Sequence, residues 1–136
     1  MRNVRNHRRL VALACAASLC ASGCAGSQDD AATTAALRLL DAAAAGDGVA
    51  ACAALAAPTR DELEQSSGKP CEEAVLEEDL GGASAADRVD VFDSMARVAT
   101  GSQTVFLSRY DGRWKVVAAA CTSVPDRPYD CSIGLP

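Results

Sequence analysis

Beyond residue 23 the sequence has no histidine and no asparagine, because His7, Asn3 and Asn6 all fall within the first seven residues. Without an imidazole, Ser-His-Asp, Cys-His and histidine general-base mechanisms are excluded from that part of the chain. Without asparagine it has no N-glycosylation site. There is no CxxC pair, and no histidine remains to complete a mixed ligand set, so a structural zinc site is not expected and neither is a cofactor. Aromatic residues are few, one Trp, two Tyr and two Phe, so any apolar pocket must be built around a handful of rings. A long hydrophobic run is also missing. The apolar stretch after Leu10 gives way to small and polar residues after about a dozen positions, short of the roughly 20 that a membrane-spanning helix needs.

What the N-terminus does contain is an address. MRNVRNHRRL carries Arg2, Arg5, Arg8 and Arg9 with no acid, and an Ala- and Leu-rich run follows to Ala21. These are the n-region and h-region of a signal peptide over residues 1–23. Ala21-Ser22-Gly23-Cys24 resembles the bacterial lipobox, with Ala where Leu is commoner. That resemblance implies that the Cys24 thiol carries a diacylglycerol and that cleavage before it makes it the first residue. Removing residues 1–23 changes the balance from 13 basic and 18 acidic residues to 9 and 18, so the net charge moves from −5 to −9. Such a chain is a poor ligand for nucleic acid, which needs basic clusters. Membrane contact then rests on the acyl chains, since no polybasic patch follows Cys24.

Cysteine counting agrees with export. Of seven cysteines, Cys15 and Cys20 leave with the leader and Cys24 is the lipid carrier, so Cys52, Cys71, Cys121 and Cys131 remain. An even number in an exported domain reads as two disulfides. Of three connectivities, Cys52 with Cys71 and Cys121 with Cys131 join neighbours in sequence.

The remaining length suits one small domain over residues 31–136. Residues 24–30 are small, polar and acidic and read as a flexible tether of about 16 Å reach. From Ala31, Leu37, Leu40 and Ala44 recur at helical spacing until Gly46-Asp47-Gly48. A second helix is expected from about Val49 to Ala57, ended by Pro58. Thr59-Arg60-Asp61-Glu62 matches a capping box for a third, reaching about Gln65. Pro70 opens a fourth that carries Cys71, Val75, Leu76 and Leu80. Its acids Glu72, Glu73, Glu77, Glu78 and Asp79 lack calcium-loop spacing and read as a solvated face. After Gly81-Gly82 the period becomes alternating. Four antiparallel strands are expected near 87–92, 95–100, 103–110 and 113–121, the last pair joined by the hairpin turn Asp111-Gly112.

Helices followed by an antiparallel sheet make an α+β domain with the helices on one face. RLLDAAAAGDGVAACAALAAPTRDEL, GKPCEEAV, TVFLSRYDGRWKVVAAAC and RPYDCSIG resemble a family of actinobacterial lipoproteins with an NTF2-like cone fold. The resemblance implies helices packed on a curved four-stranded sheet, disulfide-stabilised, at the cell envelope. It lends no activity. A cone implies a pocket between sheet and helices, here lined by Phe92, Phe106, Tyr110 and Trp114. The expected function is a non-catalytic, membrane-anchored module that contacts an envelope protein or a small apolar ligand. The alternative is an isomerase- or dehydratase-like enzyme with Tyr110 as oxyanion donor and Asp90 or Asp93 as base.

Overall fold

The computed structural model describes residues 24–134 apart from Ser84, so the signal peptide expected over residues 1–23 lies outside the described residues. Helix α1 spans Cys24–Ala44 and, at 21 residues, is about 31 Å long. Ala32, Ala36, Leu39 and Leu40 are fully buried and share one face of it. The helix begins at Cys24, so the flexible tether expected over residues 24–30 is corrected to helix. Once a helix is nucleated and packed further along, each added residue gains a hydrogen bond without a new nucleation cost. Apolar periodicity is silent about such an extension because residues 26–30 carry no buried apolar side chain.

Gly46 at φ +73° closes α1, and the Asp47 carboxylate accepts from the Ala50 amide to cap α2, Gly48–Ala54. Leu55 then turns extended and bridges Val116 in parallel, while the Ala56 amide donates to the Val116 carbonyl at 2.8 Å. Pro58 therefore starts rather than stops a helix: it sits in the first turn of α3, Ala57–Ser67. Thr59 is correspondingly not a cap. Its hydroxyl is buried and donates to the Val117 carbonyl at 3.2 Å. Gly68, left-handed at φ +68°, ends α3, and Pro70 precedes α4, Cys71–Glu77. Leu80 falls outside that helix but is buried. The Cys52–Cys71 disulfide ties α2 to α4, and the Cys71 amide donates to Glu64 of α3.

The second half is one antiparallel sheet in sequence order: β1 Arg88–Phe92, β2 Met95–Ala99, β3 Thr104–Tyr110, β4 Arg113–Thr122 and β5 Asp130–Ile133. Asp111 and Gly112, at φ +49° and +76°, make the two-residue turn that their sequence predicts. Asp93, at φ +54°, takes the left-handed position between Phe92 and Met95. The expected four strands become five. The Cys121–Cys131 disulfide joins two residues in register on β4 and β5, which holds a four-residue strand that has little apolar content of its own.

The core lies between the helices and one sheet face. Leu39, Leu40, Ala51, Leu55, Leu63, Val75 and Leu80 meet Val98, Val105, Leu107, Trp114, Val116 and Ile133 there. Helix α1 packs against β1 to β4, and α3 meets β4.

Candidate functional site

Pairing fixes which side chains share a face, since directly opposed residues point the same way. Leu107 pairs with Val116 and Arg109 with Trp114, so these four share the core-facing side. Phe92 pairs with Met95, Met95 with Ser108, and Arg97 with both Asp90 and Phe106. They belong to the outer side, with Tyr110.

The pocket expected from Phe92, Phe106, Tyr110 and Trp114 is therefore not assembled. Trp114 is buried in the core, with the Arg109 guanidinium 5.7 Å from its ring centroid. Phe92 and Tyr110 are 65% and 42% exposed on the other face, and Phe106 is half-buried there. The physical reason is the tight Asp111-Gly112 turn, which opposes Tyr110 to Arg113 and so sets Trp114 opposite Arg109. That parity is readable from the turn alone. The residues offered for catalysis are likewise apart. Tyr110 ends β3, Asp93 is a turn residue, and Asp90 lies two strands from Tyr110.

Asp90 has a structural employment. Arg88 donates to it from Nε and Nη2 at 3.0 Å, and Arg97 from Nη2 at 2.6 Å. Those hydrogen bonds, Arg88 first, hold its carboxyl below the usual carboxylate range, and they hold the Arg97 guanidinium above its own. Tyr129, from the segment before β5, packs edge-on to Phe106, with centroids 5.0 Å apart at 75°. The outer face is thus a mixed surface in which Phe92, Met95, Tyr110 and Tyr129 stand exposed around an ordered Arg-Asp-Arg group.

One cleft opens beside this face, between α3 and the β5 segment, with a volume of ≈ 390 Å³. Glu62 and Ser66 of α3 form one wall, and Tyr129, Asp130 and Ser132 form the other. Sequence reading missed it because it missed β5; the clue available was Tyr129-Asp130 beside a disulfide cysteine.

The acids of α4 and the segment after it are solvated as expected: Glu72, Glu73, Glu77 and Asp79 are exposed, and Glu77 pairs with Lys69. Half-buried Glu78 has its pKa raised, first by desolvation and then by Glu77. Among the described residues no group of three or more acidic, histidine or cysteine side chains could hold a metal ion. No described helix is long and apolar enough to cross a membrane. No buried side-chain polar atom among them lacks a partner. No family model, curated protein or solved structure matches this chain.

Proposed function

We propose that this chain is an exported, membrane-anchored lipoprotein that acts as a non-catalytic interaction module at the cell envelope, meeting its partner through the outer face of the sheet. Within this reading the domain is an NTF2-like cone whose interior is closed. The observation that carries it is the opposition of the two sheet faces. Where a ligand-binding cone keeps a cavity, Leu107, Trp114 and Val116 fill the space against Leu39 and Leu40. On the other side, large apolar side chains at Phe92, Met95, Tyr110 and Tyr129 stand in water. A clustered apolar surface with polar groups among it is what a partner contact requires.

Anchoring rests on the lipobox-like Ala21-Ser22-Gly23-Cys24 and the leader before it. With helix from Cys24 and the first fully buried residue at Ala32, eight residues on, the body of the domain begins about 12 Å from the acylated cysteine. The module would ride close to the bilayer. The isomerase or dehydratase alternative has no acid-base pair brought together to support it.

The test is site-specific photo-crosslinking in intact cells, with the photoreactive residue at Met95 on the outer face or at Asp61 on exposed α3. The proposal expects a discrete adduct from Met95 and none from Asp61. Equal labelling from both positions, or none from Met95, would remove the outer face from the function.

A further inference from the structure

We propose that the cleft between α3 and β5 binds a small organic cation, an ammonium group carried on a compact sugar or apolar frame. The inference is independent of the lipid anchor and of the outer-face contact, so its failure would leave that reading standing. Its volume of ≈ 390 Å³ is within the range of small-molecule sites, about 300–1,000 Å³. The chemistry of the lining then selects the ligand. Acidic Glu62 on α3 and Asp130 on β5 stand on opposite walls, and no described lining residue is basic. Ser66 already donates its hydroxyl proton to the Leu63 carbonyl at 3.2 Å, so what it offers the cleft is a lone pair. The site is rich in acceptors, and a ligand that carries donors and positive charge satisfies it.

Tyr129 adds the element that distinguishes a built wall from a loose group of acids. Its ring is held edge-on by Phe106. A ring held in place along one wall can receive a cation on its π-face at little ordering cost. Leu63 and Ile133 give the cleft an apolar floor for the ligand's frame, and the Cys121–Cys131 disulfide holds the β5 wall in position. Helix α3 adds to this, with Asp61, Glu62 and Glu64 against Arg60 alone, which favours cations at that wall.

The experiment is an NMR titration of the full, disulfide-closed exported protein in detergent, with glucosamine as the probe and N-acetylglucosamine as its uncharged counterpart. Saturable shifts are expected at Glu62, Ser66 and Tyr129–Ile133, with a dissociation constant of about 1 mM for glucosamine and at least about tenfold weaker binding of the acetylated sugar. Glu62→Gln combined with Asp130→Asn is expected to weaken glucosamine by about tenfold or more, and Tyr129→Leu by about threefold, at unchanged thermal midpoints. Equal binding of both sugars would overturn the cation assignment. Shifts spread along Glu72–Asp79, which would mark counterion association, or no saturable shift at all, would overturn the site.

Discussion

Gly48 of α2 packs closely against the backbone of α4. A Cβ built there would lie 2.0 Å from the carbonyl oxygen of Glu72, a backbone atom with no rotamer to yield. Gly48→Ala is therefore expected to destabilise the fold by about 3 kcal/mol, the upper part of the overpacking range, read as a lowered urea midpoint with unchanged slope. A midpoint equal to the parent's would mean that the helices part without cost. Asp90 gives a second residue-level expectation, through pH. Its carboxyl is held low by Arg88 and Arg97, so the stabilisation of its ionised form is complete above the unfolded value of about 3.9 and disappears as pH falls through the lower folded value. In Asp90→Asn the acid limb of stability against pH flattens below about pH 4; parallel limbs for variant and parent would show that these surface pairs contribute nothing. Glu78 has the opposite sign. Its raised pKa makes the protonated form the favoured one in the fold, an advantage present below the unfolded value and lost as pH rises through the folded one. Glu78→Gln is expected to raise the thermal midpoint at neutral pH and to leave it unchanged near about pH 4, and a fall at neutral pH would refute that account.

At the scale of elements the two disulfides act on different units. Cys52–Cys71 closes a 19-residue separation between two core helices, whereas Cys121–Cys131 closes 10 residues to an edge strand. By loop entropy each contributes about 3 kcal/mol. The consequences differ: replacing both Cys121 and Cys131 with Ser is expected to free the β5 amides to near-unprotected hydrogen exchange while β2 and β3 stay protected, and replacing Cys52 and Cys71 should lower protection throughout. Uniform loss in both variants would show that β5 unfolds only with the whole sheet. The same elements show what could be read from the chain. Leu37, Leu40 and Ala44 repeat at helical spacing and mark α1, although Leu37 is half-buried and Ala44 exposed and the buried face is Ala32, Ala36, Leu39 and Leu40. Asp-Gly admits the positive φ of a hairpin, so both elements declare themselves locally. β5 does not, because DCSI between Pro128 and Gly134 has one buried apolar residue, Ile133, and its pairing depends on a bond to Cys121. Thr59 misled for a related reason: the capping-box pattern was present, but Pro58 started the helix earlier and turned the hydroxyl towards the Val117 carbonyl. The outer-face residues were legible as strand residues, while the cleft needed β5 in place before Tyr129 and Glu62 could be neighbours.

Across the whole molecule, charge divides with architecture. Residues 24–86 hold 3 basic and 12 acidic side chains and residues 87–136 hold 6 of each, so all nine net negative charges of residues 24–136 belong to the helical half and its linker. An anionic bilayer repels the helical side and has no net attraction to the sheet side, so the proposed attachment would have to come from acyl chains alone. That predicts a salt response as well as a genetic one. Raising salt from about 0.1 M to about 1 M shortens the Debye length from about 10 Å to about 3 Å, enough to release a protein held by surface charge. The lipidated form is expected to stay in the membrane fraction across that range. Cys24→Ala is expected to lose fatty-acid labelling and to migrate as the longer precursor. Release of the parent protein by salt would assign the attachment to charge, and retained labelling in Cys24→Ala would assign the acyl chains to another residue. The two arms separate the anchor from the domain, because neither salt nor Cys24 touches the buried contacts between Leu39, Leu40 and the sheet.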